Sequence, residues 1–160
     1  MKRCWLIDMA IPQPPFTIII DTRENKPYLF ASITPRPATV FKALETGDYS
    51  IEGHEGAGGI TIERKTLQDA YGTFGAGRKR FERELDRMSS YKTSVVIIEA
   101  DWDTILRRPP VHSVFSPRSF LASVVAWQQR YKVHFWACGN RSLGEKCAYR
   151  ILERFWKDHQ

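Results

Sequence analysis

The chain has 160 residues, the size of one compact domain, and 42% of them are hydrophobic, enough for a buried core. Lys and Arg number 24 against 18 Asp and Glu, a net charge of +6 that suits a polyanionic partner without specifying one. Three cysteines, Cys4, Cys138 and Cys147, include no CxxC pair and point to neither a disulfide framework nor a zinc site, and no apolar run is long enough to cross a bilayer.

Residues 1–15 close on Ile-Pro-Gln-Pro-Pro, which continues neither a helix nor a central strand, so they are expected to form an extension ahead of a single domain at 16–160. Asp8 and Pro12 interrupt the early apolar residues, so no secretory signal is expected, and a reducing, cytoplasmic setting fits best. Residues 16–20 read as a buried strand ending in Asp21-Thr-Arg-Glu24, and a second strand begins near Ala38 after a proline-rich link. Residues 49–52 and 60–63 alternate polar and apolar about a turn-rich stretch and read as a hairpin. If Ile51 pairs with Ile60, then Tyr49 pairs with Ile62 and Asp48 with Glu63. Tyr49, Ile51, Ile60 and Ile62 then share the core face, and Asp48, Ser50, Thr61, Glu63 and Lys65 share the other.

Thr66 with Asp69 predicts a helix N-cap, and Gly72, Gly75 and Gly77 are expected to break that helix. A second helix from Arg78 buries Phe81, Leu85 and Met88. Residues 94–100 read as a buried strand, Ser116-Pro117 starts a helix toward Tyr131, and residues 132–137 form another strand. Ser142 with Glu145 predicts a capping box for the last helix. This order implies an α/β domain, a central mixed β-sheet flanked by helices.

Two carboxylates, Asp48 and Glu63, thus become cross-strand neighbours. Like charges in that position destabilise a bare sheet, so the arrangement invites a cation between them. Singly, each acid has a plainer reading: Asp21 ends a strand, Asp48 starts a turn, and Glu-x-Lys is common. Together they form Gly47-Asp48, fourteen residues, Glu63-Arg64-Lys65, three residues, Asp69.

That pattern resembles the signature of the XPF-type nucleases, members of the restriction-nuclease-like superfamily, and Asp21-Thr-Arg-Glu24 resembles the family's acidic strand terminus. The resemblance runs over about residues 16–156. The tandem helix-hairpin-helix domain that many members carry is expected to be missing. It implies a restriction-endonuclease-like core, a Mg²⁺- or Mn²⁺-dependent endonuclease acting on branched or flapped DNA, and products with a 5′ phosphate and a 3′ hydroxyl. It also implies a phage or prokaryotic stand-alone form working in recombination, replication or repair. The chemistry agrees, because a cation on carboxylates neutralises the scissile phosphate and supplies a nucleophilic water, and Mg²⁺ suits an oxygen-only site. Asp21, Asp48 and Glu63 are expected to be direct ligands, with the Arg64 carbonyl as a further candidate and Glu24 in support. Lys65 is expected to orient the water or stabilise developing charge. Asp69 is explained as a helix cap. Arg64 falls on the core side of its strand, where an ion pair, with Asp69 as a candidate partner, and a phosphate contact both remain open.

Arg78, Lys79 and Arg80 cluster, and Arg80, Arg83 and Arg87 project from one helix face. The three clustered cations favour a DNA backbone contact, while Arg83 and Arg87 fit equally a solvated face with Glu82, Glu84 and Asp86 interleaved. Trp127, Tyr131, Phe135 and Trp136 read as core or interface, and His54, His112, His134 and His159 have no catalytic spacing. The resemblance further implies a homodimer through C-terminal helices. The rival reading is a catalytically inactive DNA-binding or scaffolding subunit, which the family also contains. Those subunits lose the acidic and lysine residues that are all present here.

Overall fold

The computed structural model describes residues 12–160, so Cys4 and most of the expected N-terminal extension lie outside the described residues. Six strands form one mixed sheet: β1 (Thr17–Ile20), β2 (Ala38–Phe41), β3 (Tyr49–Ile51), β4 (Ile60–Lys65), β5 (Thr93–Ile98) and β6 (His134–Ala137), in the order β2-β1-β3-β4-β5-β6. β3 runs antiparallel to both β1 and β4, and the remaining pairs are parallel. Tyr49 lies opposite Ile62, as the alternation requires.

Both faces are covered, which is why β5 is an almost unbroken apolar run. One face packs on α5 (Arg141–Asp158), where Tyr49, Ile51, Ile60 and Ile62 meet Ala148, Tyr149, Leu152 and Phe155. The other packs on α1 (Leu67–Phe74), α2 (Arg78–Met88), α3 (Trp102–Arg107) and α4 (Pro117–Tyr131). There Phe74 stacks on Phe120 at 4.3 Å and meets the fully buried Trp127 edge-on at 4.8 Å.

Local chemistry explains the helix starts. Thr66 caps α1 and Ser116 caps α4 with Pro117 at its first position, both as expected. α1 runs through Gly72 and stops only at Gly75, since one interior glycine costs too little to end a packed helix. β6 begins later than expected because Lys132 adopts the left-handed conformation that closes α4. α5 is capped by Asn140, not by the Ser142 box, and Glu145 instead accepts hydrogen bonds from the Phe30 amide and Ser32 hydroxyl, both at 2.7 Å. α3, which no sequence motif announced, starts where the Asp101 side chain accepts the Thr104 amide.

Candidate active site

The site forms where β1 and β4 end beside the start of β3, against α1 and α2. Gly47 has φ of 78°, and a Cβ there would lie 2.1 Å from Thr61 Oγ1, so only glycine brings the chain this close to β4. Asp48 then sits in the framework: its amide donates to the Ile62 carbonyl at 2.7 Å, and its own carbonyl accepts the Asp21 amide at 2.8 Å. One carboxylate oxygen, Oδ2, accepts the Arg64 amide at 2.7 Å. Asp48 is therefore held against β4, one residue from Glu63.

Glu63 and Lys65 project from β4 toward the helices. Lys65 Nζ donates to Glu63 Oε1 at 2.7 Å and lies 4.7 Å from the centre of the Phe81 ring. Burial pushes the Asp48 carboxyl up to about 7, against the opposing hydrogen bond from Arg64. Burial also pushes Glu63 well above the usual carboxylate range, and Asp48 beside it adds to the rise that Lys65 opposes. For Lys65 burial works downward, but the Glu63 charge and hydrogen bond outweigh it, so the ammonium is retained above its ordinary value. Glu84 of α2, not singled out from the sequence, adds negative field at all three groups.

These residues line a cleft of about 570 Å³ together with Glu24, Arg64, Asp69 and Arg80. Asp21 does not line it. Both Asp21 oxygens are engaged, Oδ1 by the Leu44 amide at 2.9 Å and Oδ2 by Arg23 Nε at 2.8 Å. The chain turns after β1, so Arg23 and Glu24 enter the cleft where the strand-end reading placed Asp21. Arg23 was missed because a cation in that tetrapeptide gives no signal of its own. Arg64 pairs with Glu99 and Glu24, not with Asp69. The Asp69 amide donates to the Thr66 hydroxyl, the N-cap read from the sequence, and that hydroxyl in turn donates to the Asp69 carboxylate.

The basic residues of α2 separate into distinct environments. Arg80 reaches the cleft, whereas Arg78 is drawn onto α4, its guanidinium 4.6 Å from the Trp127 ring centre and bonded to Ser123 Oγ at 2.7 Å. Lys79, Arg83 and Arg87 lie outside the cleft lining.

Among the described residues no three His, Cys, Asp or Glu side chains come together as a ready-made metal cage. The donor chemistry nonetheless fits a hydrated Mg²⁺ or Mn²⁺, which uses one or two carboxylates and fills its remaining positions with water or phosphate oxygen. Asp48 Oδ1 and Glu63 Oε2 make no hydrogen bond among the described residues, and burial disfavours leaving both groups charged without a cation.

The sequence matches the family model described as the ERCC4 domain over residues 20–145. The chain belongs to the ERCC4 domain family. Its fold is similar to XPF from Aeropyrum pernix, with TM-score 0.64 and 21% identity over 90% of this chain and 66% of that one. It is likewise similar to XPF from Aeropyrum pernix in complex with DNA, with TM-score 0.66 and 23% identity over 89% of this chain and 66% of that one. The chain thus spans just under two thirds of the length of either structure. No curated protein sequence matches it. The mixed sheet flanked by helices is the α/β architecture expected from the element order, and it matches the fold of XPF.

Proposed function

We propose that this ERCC4 domain is a Mg²⁺- or Mn²⁺-dependent DNA endonuclease that cuts branched or flapped DNA. The observation that carries the reading is the convergence of Asp48, Glu63 and Lys65 from adjacent strands into one cleft, with Arg23 and Arg80 in its lining. Asp48 and Glu63 hold the metal, with Glu24 in reach of the same cleft. When bound, the ion neutralises charge on the scissile phosphate and supplies a nucleophilic water at neutral pH. Lys65, a compact ammonium already oriented by Glu63 and Phe81, positions the attacking water and stabilises the charge that develops on phosphorus-bound oxygen. The Arg64 amide fixes the Asp48 carboxylate, and Arg23 and Arg80 hold the flanking backbone phosphates. Asp21, read from the sequence as a direct ligand, acts here by holding Arg23.

A second copy of the chain is the proposed partner. Trp136 and Leu143 are about half exposed, at 48% and 47%, and border an apolar groove of about 540 Å³ along α5. Arg150, Arg154 and Asp158 edge that groove, and Arg154 pairs with Asp158 at 2.6 Å, so the apolar centre has the polar rim of a protein interface.

The function is tested by incubating the protein with flap, fork, junction, duplex and single-stranded DNAs, and with RNA, in Mg²⁺ and in EDTA. Metal-dependent cutting of flaps or forks supports the reading. Binding without cutting, in either condition, favours the inactive scaffolding subunit.

A further inference from the structure

The end of β5 carries a buried acid that no sequence motif singled out. Glu99, its side chain 8% exposed, accepts two hydrogen bonds from the Arg64 guanidinium, Nε to Oε1 at 2.7 Å and Nη2 to Oε2 at 3.1 Å. This is the two-point geometry that guanidinium and carboxylate form best. Tyr28 adds its hydroxyl to Glu99 Oε1 at 2.8 Å, and its ring lies 5.3 Å from the Arg64 guanidinium carbon. The Glu99 amide donates to the Lys65 carbonyl at 2.9 Å, so the acid is fixed to the strand that carries the site. Only Nη1 of Arg64 remains for the cleft, and it stands 3.4 and 3.5 Å from the two Glu24 oxygens.

Arg64 is also a hazard to the site it serves. It lies between Glu63 and Lys65 in sequence, lines the cleft, and carries a permanent positive charge 3.4 Å from Glu24, a carboxylate of the same cleft as Asp48 and Glu63. A guanidinium released from Glu99 would be free to move past Glu24 toward Asp48 and to occupy the space a divalent cation needs. We propose that Glu99 is a positioning residue that clamps Arg64 away from the metal-binding carboxylates, keeping an internal cation from competing with Mg²⁺ or Mn²⁺. The inference rests on the nuclease reading above. It adds that the metal affinity of the cleft is set partly from β5, by a residue that touches neither metal nor DNA. Arg141, 3.6 Å from Glu99 Oε1 and half exposed, is a weaker partner and stays solvated when Glu99 is replaced.

The test is Mn²⁺ affinity by calorimetry on the full chain, with DNA cleavage measured in parallel, for the wild type, Glu99→Gln, Arg64→Met and the double variant. Glu99→Gln is expected to raise the Mn²⁺ Kd about tenfold or more, as the loss of one compensating charge at a buried pair implies. Replacing Arg64 as well is expected to restore affinity, because the competitor is gone. The double variant should then match Arg64→Met to within about twofold, the limit of additivity for a pair acting only through each other. Removing both members together deletes the buried Arg64–Glu99 pair as a unit, and Glu24 keeps its hydrogen bond from the Lys26 amide, so the double variant folds even where Glu99→Gln does not, and its comparison with Arg64→Met then carries the test. Wild-type Mn²⁺ affinity in Glu99→Gln overturns the clamp, as does a double variant weaker than Arg64→Met. A wild type that binds no Mn²⁺ and cuts no DNA overturns the nuclease reading itself, which separates the two failures.

Discussion

The Asp48 carboxylate accepts the backbone amide of Arg64 at 2.7 Å, and this one bond sets where the cleft's negative charge lies. It crosses from the start of β3 to β4 and leaves the other Asp48 oxygen with no hydrogen bond among the described residues. Because the donor is a backbone group, the carboxylate is aimed by strand register, not by a side chain that can rotate away. Whatever disturbs that register disturbs the site.

Gly47→Ala is expected to do so. The substitution forces a Cβ into Thr61 Oγ1 and an alanine into the left-handed region, a combination that costs about 2 kcal/mol or more. Urea unfolding measures the loss, and cleavage should fall by more than the folded fraction does. A change in stability below about 0.5 kcal/mol, the level typical of an uninvolved surface site, would contradict the packing described at this turn.

Asp48 also makes the metal-free protein sensitive to pH. Its folded-state value, about 7, lies above its unfolded value near 3.8, so the stability it contributes is complete below the unfolded value and lost as pH rises through the folded one. Glu63 is shifted in the same direction. In EDTA the wild-type melting temperature is therefore expected to fall between about pH 5 and pH 8. Asp48→Asn, which has no charge to bury, should lose less, so its advantage over the wild type grows with pH. Equal differences at both pH values would contradict the shift.

How much of this was legible from sequence depends on how local the determinants are. The alternation of Tyr49 and Ile51 with Ile60 and Ile62 specifies a register, and register alone places Asp48 near Glu63. The fold class followed from element order for the same reason. Asp21 and Glu24 were harder, because which of them enters the cleft depends on a turn after β1 that places Arg23 on Asp21. Glu99 gave no signal, since it meets Arg64 only through the parallel pairing of β4 with β5, 35 residues apart. The Ser142 box was a sound local motif overridden by Asn140, whose side chain reaches the Leu143 amide first.

The environments of Arg23, Arg78 and Arg80 predict different outcomes for cations of one type. Replacing Arg23 and Arg80 with Ala should weaken binding to all DNA sequences alike, and each phosphate that is no longer neutralised should reduce the slope of log affinity against log salt by roughly 0.9. Arg78→Ala should leave that slope unchanged and lower stability instead, since its guanidinium is held on Trp127 and Ser123. Salt titrations of binding, with melting curves for each variant, separate the two. A slope that changes only for Arg78 would reverse the assignment.

Trp136→Glu is expected to shift the protein to monomer in sedimentation velocity while its melting curve stays cooperative, because this half-exposed side chain borders the apolar groove along α5. A wild type that is monomeric at micromolar concentration would contradict the proposed pairing.

The most direct test of the nuclease reading is cleavage of a flap DNA in Mg²⁺ by the wild type, Asp48→Asn and Lys65→Ala, with Mn²⁺ binding measured on the same preparations. Asp48→Asn removes a charge the metal requires, so cutting and Mn²⁺ affinity should both fall, while DNA binding persists or tightens as one source of phosphate repulsion is lost. Lys65→Ala should also cut slower by about a hundredfold or more, the usual effect of losing one group that stabilises a transition state, yet still bind Mn²⁺. An Asp48→Asn protein that cuts as fast as the wild type would contradict the account, because the reaction would then not take place in this cleft.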